Sequence, residues 1–171
     1  FMTDPSAVSG AILQMVNHGL STGMLFLMVG IIYERRHTRE LSNYGGIVRV
    51  VPIFSVFFMI ATLSSIGLPG LNGFIGEFLI LLGTFKINKL YAVIAATGVV
   101  LGAVYMLGLV KRFLFGPLVH PENESIADVN AREILYLSPI VLLMAFIGLY
   151  PAPFLSRITP AVERYLQQIG F

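Results

Sequence analysis

Cysteine and charge are both scarce in this sequence. No cysteine occurs among the 171 residues, which excludes disulfide bonds, thiolate metal sites and thiol chemistry. Charged residues make up 12% of the chain, about half of the roughly 25% that is usual in a soluble domain. A soluble fold of this length has too little interior to bury so much apolar sequence. The net charge of +2 is too small to indicate a nucleic-acid partner.

The apolar residues are gathered into long runs. Four stretches contain no Asp, Glu, Lys or Arg, namely residues 5–33, 50–76, 90–110 and 134–156. Each has at least the roughly 20 residues that a helix needs to cross a bilayer core about 30 Å thick. The alternating segments of about 10 residues that are typical of a membrane β-barrel are not seen. We therefore predict an all-α, multi-pass transmembrane helical bundle.

Turn-forming and charged residues divide the bundle into about five helices. The sequence Gly67-Leu68-Pro69-Gly70 separates the second and third segments so narrowly that they form either a tight helical hairpin or one interrupted helix. Pro69 suits the first position of the third helix. The predicted segments are residues 6–33, 48–66, 68–85, 90–113 and 133–150. Together they form a transmembrane region over residues 1–150.

Residues 151–171 differ from the rest of the chain. Thr159 and Pro160 have the chemistry of an N-cap and a first helical residue. Apolar residues recur at helical spacing between charged and amide side chains, namely Ile158, Val162, Tyr165, Leu166 and Ile169. They predict a short C-terminal amphipathic helix that lies on the membrane surface or on a partner.

Glu77 is the one formally charged residue between Arg49 and Lys86. Counted from Pro69, it lies about 12 Å along the third helix, near the middle of a membrane. A carboxylate at that depth costs about 2.5 to 3.5 kcal/mol on insertion scales, so such residues usually face a bundle interior or a wet cavity. Removal from water disfavours the charged form, which makes Glu77 a candidate proton carrier. The alternative is a structural carboxylate in an interhelical ion pair.

His18 lies near the middle of the first segment, within a polar stripe. Gln14, Asn17, His18 and Ser21 recur at i, i+3, i+4 and i+7 on an otherwise apolar helix. Imidazole titrates near neutral pH and can pass a proton between its two nitrogens. The stripe is therefore a candidate proton relay, and the alternative is that these groups only hydrogen-bond to neighbouring helices.

Lys111 and Arg112 end the fourth segment. Long basic side chains at a helix end commonly extend to the membrane interface, and this is the favoured interpretation. In the alternative, Lys111 faces the bundle and supplies or drains a proton path, together with Tyr105 a turn and a half earlier.

Two stretches carry a resemblance to a known family. They are LQMVNHGLSTGMLFLMVGIIYERRHTREL, followed by YGGI, and then ATLSSIGLPGLNGFIGEFLILLGTF. These stretches resemble the antiporter-like subunit M of respiratory complex I, the proton-pumping NADH:quinone oxidoreductase. The later sequences KRFLFG and GLYPAPFL resemble the end of the same subunit. The resemblance covers essentially the whole chain.

The resemblance implies a piece of a larger proton-translocating subunit, with about fourteen membrane helices in two inverted repeats. Glu77 then matches the terminal acid of the second, exit-side half-channel, and His18 matches a histidine of the central hydrophilic axis. No redox cofactor is expected in this chain, whereas the complex as a whole uses NADH, FMN, iron–sulfur clusters and quinone. The expected partners are other membrane subunits, especially neighbouring antiporter-like subunits, and the lipid bilayer. The expected location is the inner (plasma) membrane of a bacterium.

Two indications of orientation in the membrane conflict. Eight of the eleven basic residues lie within residues 34–49, 86–89 and 151–171, which are expected on one side of the membrane. The positive-inside rule places that side in the cytoplasm. The resemblance places the C-terminal helix on the outer side, and we give the resemblance more weight.

Two other interpretations stay open. Multisubunit cation/proton antiporters and membrane hydrogenases share the same helices, and the charged YERRHTRE loop favours complex I over them only weakly. A non-conducting membrane scaffold is the second alternative, in which Glu77 would serve as a structural ion-pair member.

Overall fold

The computed structural model describes residues 4–170, and within these residues all regular secondary structure is helical. The six helices are α1 (Pro5–Arg36), α2 (Pro52–Ser65), α3 (Asn72–Ile87), α4 (Lys89–Phe113), α5 (Ala131–Leu149) and α6 (Ala152–Gln168). Three of them, α1, α4 and α5, are long and apolar enough to cross a membrane. The predicted all-α transmembrane bundle is confirmed.

Local chemistry sets the start of α1. The carboxylate of Asp4 accepts hydrogen bonds from the backbone N–H groups of Ser6 (2.9 Å) and Ala7 (3.2 Å), and Pro5 occupies the first turn. An N-cap acid followed by proline satisfies free amides and fixes the backbone for a helix. Lys86, at the far end of α3, forms an ion pair with the same carboxylate at 3.3 Å. We call this side of the bundle the Lys86 end.

The opposite side, the Arg35 end, is held by the loop that joins α4 to α5. Arg35 donates to the carbonyl oxygens of Ala127 (2.7 Å) and Asp128 (3.2 Å) and to the carboxylate of Glu133 (2.7 Å). The Asp128 carboxylate accepts from the backbone N–H groups of Ile53 and Phe54 at 2.8 and 2.9 Å, which caps α2. The end of α1 and the starts of α2 and α5 are thereby joined in one polar network.

Helices α2 and α3 are the two halves of one interrupted crossing. The first begins at the Arg35 end, where Asp128 caps it, and the second finishes at the Lys86 end beside Asp4. With only 14 and 16 residues, each half is shorter than the roughly 20 that a crossing needs. Since both halves run antiparallel to α1, the hairpin alternative is wrong and the interrupted helix is confirmed.

The start of α3 differs from the prediction. Its first residue is Asn72 and not Pro69, because Gly67 (φ 75°) and Gly70 (φ 95°) adopt left-handed backbone conformations that interrupt the helix. Glu77 therefore lies five residues into α3, about 8 Å along its axis rather than 12 Å. That position is close to the break between the two half-helices.

Close contact between α1 and α3 depends on small residues. A Cβ atom added at Gly10 would lie 2.6 Å from the Cβ of Leu79, and one added at Gly83 would lie 2.6 Å from the Cβ of Ala7. Such spacing lets two helix backbones approach closely, as at many membrane helix interfaces. The contact fixes the register of α3 along α1.

The remaining crossings follow from connectivity. α4 returns to the Arg35 end, where the carbonyl of Leu114 accepts from the N–H of Val48 at 3.2 Å. α5 starts beside Arg35 and crosses back, so that Gly148 in its last turn packs against the backbone of Gly70 and Leu71. The five apolar segments thus make four crossings in the part of the chain that the structure describes.

α6 begins earlier than the sequence predicted. Its first residue is Ala152, and Pro160 lies inside the helix, so the assignment of Thr159 and Pro160 as the helix start is wrong. Pro153 takes the first-turn position that suits proline. Val162 and Leu166 are buried and α6 packs against α1. The predicted amphipathic pattern is therefore observed, and the face that carries Val162 and Leu166 is the packed one.

Because the chain makes four crossings and not the expected five, the basic residues are divided differently between the two sides of the membrane. The tail now follows a crossing that ends away from Arg35, and the charged loops 34–49 and 86–89 fall on opposite sides. The basic residues at the Arg35 end are Arg35, Arg36, Arg39, Arg49, Lys111, Arg112 and Arg132, and those beyond the other end are Lys86, Lys89, Arg157 and Arg164. The positive-inside rule now predicts a cytoplasmic Arg35 end and an outer C-terminal helix. The conflict over orientation arose from counting the interrupted helix as two crossings.

Candidate functional site

Glu77 lies at the break of the interrupted helix, and its two carboxylate oxygens contact different parts of the bundle. Its Oε1 accepts a hydrogen bond from Nε2 of Gln14 on α1 at 3.2 Å. Its Oε2 lies against Gly67, where an added Cβ would come within 2.6 Å of that oxygen. Gly67 therefore has two roles. It allows the left-handed turn, and its lack of a side chain leaves room for the Glu77 carboxylate.

A chain of amide groups continues from Gln14 to the break. Nδ2 of Asn17 donates to Oε1 of Gln14 (3.2 Å) and to the backbone carbonyl of Asn72 (2.7 Å). The Asn72 side chain donates back to the carbonyl of Asn17 at 3.3 Å, and its Oδ1 accepts from the hydroxyl of Ser64. Asn17, Asn72 and Ser64 are fully buried. The chain joins α1 to the last turn of α2 and the first turn of α3.

A cavity of about 330 Å³ opens on the other side of Glu77, between α3 and α4. Ser65 and Ile66 from the end of α2 line it together with the acid, and α4 contributes the small residues Ala95, Gly98 and Gly102. The volume has room for several water molecules beside the carboxyl group. The acid therefore contacts an amide chain on one side and an open space on the other.

The structure separates His18 from the rest of the predicted stripe. Gln14, Asn17 and Ser21 turn toward the bundle, whereas the His18 side chain is exposed on the outward face of α1. Within residues 4–170 it makes no hydrogen bond to protein. A helix advances about 100° per residue, so adjacent residues such as Asn17 and His18 face different directions. The relay role of His18 stays a prediction.

Lys111 is not brought near Glu77. It is exposed at the Arg35 end, nine residues beyond Gly102, or about 14 Å along α4. It lines a separate open cavity of about 750 Å³ with Arg112 and His120. Within the described residues, this position matches the interfacial interpretation better than a contact with the acid, and a proton-path role stays a prediction.

The polar residues that flank the break, Ser64 and Asn72, were not predicted from the sequence. Ser64 lies in the last turn of α2, and Asn72 lies two residues after Gly70. The signal that could have indicated these two residues is a hydrogen-bonding side chain on each side of the Gly-Leu-Pro-Gly sequence. Among residues 4–170, no group of three or more His, Cys, Asp or Glu side chains is arranged to hold a metal ion.

Comparison with known proteins places this arrangement among membrane subunits of respiratory complexes. Subunit M of NADH-quinone oxidoreductase from Rickettsia prowazekii is 48% identical over 93% of this chain and 32% of its own length. The subunit M proteins of Rhodobacter capsulatus and Mycobacterium tuberculosis are each 43% identical, over 98% and 99% of this chain. This chain spans about a third of the length of these relatives.

Solved structures show the same fold. A chain of respiratory complex I from Thermus thermophilus superposes with a TM-score of 0.90 at 30% identity, over 99% of this chain and 35% of that chain. A chain of the archaeal membrane-bound sulfane sulfur reductase superposes with a TM-score of 0.78 at 26% identity, over 86% of this chain and 24% of that chain. The expected resemblance to complex I membrane subunits is confirmed.

The family model described as NADH:quinone oxidoreductase/Mrp antiporter, transmembrane, matches residues 1–102. These residues include α1, the interrupted helix and the start of α4, and with them every contact of Glu77 described above. The chain belongs to the antiporter-like transmembrane family of the NADH:quinone oxidoreductases and Mrp antiporters.

Proposed function

We propose that this chain is part of a proton-translocating membrane subunit of an NADH:quinone oxidoreductase, in which Glu77 is the terminal proton carrier of the second, exit-side half-channel. The observation that carries the proposal is the position of this acid. It sits at the break of an interrupted helix, hydrogen-bonded to Gln14 and facing the cavity beside α4. Non-helical backbone at membrane depth is tolerated where it lines protein or a wet cavity.

The surroundings of Glu77 support a carrier over a structural ion pair. The ion pairs among residues 4–170, Arg35–Glu133 and Lys86–Asp4, lie at the two ends of the bundle and do not involve Glu77. A carboxyl group without a fixed cation can gain or lose a proton without breaking an ion pair. An intramembrane acid in such a setting favours a functional role over a purely structural one.

His18 is the proposed donor to this acid along the hydrophilic axis. Its side chain is exposed on α1, and in this proposal its partners lie on other helices of the intact subunit. Lys111, at the Arg35 end, is the weaker candidate for supplying or draining the proton path. Neither residue contacts Glu77 here, so water molecules would have to bridge the distances.

The proposed setting is the inner membrane of a bacterium. The partners would be other membrane subunits of the complex, above all neighbouring antiporter-like subunits, and the lipid bilayer. No redox cofactor is assigned to this chain, and electron transfer would take place elsewhere in the complex. The Arg35 end would face the cytoplasm, because seven of the eleven basic residues lie there.

A cation/proton antiporter is the second candidate, because the family includes Mrp antiporters and the fold also matches the sulfane sulfur reductase complex. Deleting the gene that encodes the chain separates the two. Inverted membrane vesicles of the deletion strain should lose proton uptake that is driven by NADH with a quinone acceptor. If NADH-driven uptake persists and sodium/proton exchange under an imposed pH gradient is lost, the antiporter function replaces the proposed one.

A further inference from the structure

The directions of the hydrogen bonds between α1 and Glu77 are fixed by one backbone group. The carbonyl oxygen of Asn72 can only accept, so the Asn17 group that lies 2.7 Å from it is the NH₂ group. That same nitrogen donates to the Gln14 oxygen at 3.2 Å. The Gln14 NH₂ group must then point toward Oε1 of Glu77. The chain ends in a donor that is aimed at the acid.

Packing also fixes the place of the Gln14 side chain. Gly76, one residue before the acid, lies against Gln14, and a Cβ atom there would come within 2.9 Å of the Gln14 Cβ. Asn17 and Asn72 bond to each other's backbone, which ties the middle of α1 to the first residue of α3. The amide donor is therefore held by the same contacts that hold the break.

Charged groups near Glu77 are few. Within the described residues, α2 carries none, α4 carries none between Lys89 and Lys111, and α5 carries none after Glu133. His18 lies one turn along α1 from Gln14, with its side chain on the outward face. The Gln14 amide is therefore the polar side chain that these residues supply to Oε1.

We propose that Gln14 is a positioning residue for proton transfer, which holds the Glu77 carboxyl at the helix break through a donor whose direction Asn17 and Asn72 set. The inference rests on the proposed function of Glu77. Without the amide, the carboxyl group would rotate into the cavity lined by Ser65 and Gly98. Geometric errors of this kind slow transfer steps strongly.

The test uses the whole assembled complex carrying Gln14→Met, which keeps the side-chain length and removes the donor. Infrared difference spectra between resting and NADH-reduced complex report the C=O stretch of a protonated carboxyl group, which Glu77→Gln identifies by its loss. In Gln14→Met we expect this band to move to higher wavenumber, because a hydrogen bond to the carbonyl oxygen is missing. The rate of NADH-driven proton pumping should fall about fivefold, the effect of losing one hydrogen bond in the transfer step.

Two further variants make the assignment specific. Gln14→His keeps a donor at about the same reach and should restore both the band position and most of the pumping. Gln168→Met is the same substitution on the exposed surface of α6 and should change neither. If Gln14→Met does not assemble, Gln14→Ala removes the amide without adding bulk beside Gly76 and is measured in the same way.

An unmoved band with unchanged pumping in Gln14→Met would overturn the positioning role and leave the carrier role of Glu77 standing. A spectrum in which no carboxyl band depends on Glu77 would instead contradict the proposed function itself. The two failures are therefore distinguishable in one set of spectra.

Discussion

Arg35 and Glu133 are 98 residues apart in sequence, yet Nη2 of Arg35 lies 2.7 Å from Oε2 of Glu133. The Arg35 side chain is 15% exposed and that of Glu133 is 9% exposed. Glu133 also completes the capping box of α5 by accepting from the backbone N–H of Asn130. The end of α1 and the start of α5 are thus joined by one largely buried ion pair.

Replacing Arg35 by Met should destabilise the subunit. The change leaves the Glu133 carboxylate without its ion-pair partner and the carbonyl oxygens of Ala127 and Asp128 without the Arg35 donor. Removing one partner of a buried pair typically costs about 3 kcal/mol. The free energy of unfolding of the purified full-length subunit, measured by SDS titration, should fall by that amount.

Arg39→Met is the matched control for this prediction. Arg39 is exposed and its guanidinium lies over the Tyr33 ring, 4.7 Å from the ring centre, so its loss should cost less than about 1 kcal/mol. Equal SDS midpoints for Arg35→Met and the wild type would show that the ion pair with Glu133 does not stabilise the bundle.

Gly10→Ala should push α1 away from α3. The new Cβ would lie 2.6 Å from the Cβ of Leu79 and 3.0 Å from the carbonyl oxygen of Gly76. Overpacking of this kind costs about 1–3 kcal/mol, and it should also weaken the bond between Gln14 and Glu77. The unfolding free energy and NADH-driven proton uptake should both decrease.

The control for that prediction is on the same helix. A Cβ at Gly23 has nothing within 4 Å, and alanine favours helix over glycine by up to about 1 kcal/mol. Gly23→Ala should therefore be neutral or slightly stabilising in the SDS titration. A loss of stability as large as that of Gly10→Ala would refute the tight contact between α1 and α3.

The ion pair between Asp4 and Lys86 predicts a specific pH dependence. Partial burial acts to raise the pKa of Asp4, but the Lys86 ammonium, the Ala7 amide and Ser6 outweigh it, so this pKa lies below the usual 3.8. The unfolded chain then binds the proton more readily than the folded one. The stabilisation is present above the ordinary pKa and is lost as the pH falls through the lowered value.

The measurement compares the wild type with Asp4→Asn, which keeps a capping oxygen and removes the charge. Since Lys86 is half exposed, the wild type should be more stable by less than about 1 kcal/mol at pH 7. That difference should hold down to about pH 5 and disappear only as the pH falls through the lowered pKa of Asp4, which lies below 3.8. A difference that grows as the pH falls would contradict the lowered pKa.

Much of the fold was predictable because its signals are local. Uncharged runs of more than 20 residues predicted the crossings of α1, α4 and α5. The glycines and proline of residues 67–70 predicted a break. They could not predict its direction, because long-range contacts decide it. These are the bond between Asn17 and Asn72 and the ion pair between Lys86 and Asp4.

The central residue of the candidate site could be predicted from the sequence, but most of its surroundings could not. A lone carboxylate in an apolar run singled out Glu77, and helical spacing grouped Gln14 with Asn17. Spacing alone cannot tell which part of a polar stripe faces inward, so His18 was placed with neighbours from which the helix separates it. Thr159 and Pro160 were assigned to a helix start because the pair has the local chemistry of one, whereas the structure places Pro153 in the first turn of α6.

The central claim is that Glu77 gains and releases a proton during turnover. The most direct measurement is the number of protons pumped per NADH in vesicles that contain the assembled complex with Glu77→Gln or Glu77→Asp. We expect Glu77→Gln to assemble normally and to lose most of the pumping, because an amide cannot carry the proton, while Glu77→Asp retains part of it. Assembly failure in Glu77→Gln, with normal pumping by any complex that forms, would show that Glu77 is structural and would contradict the account.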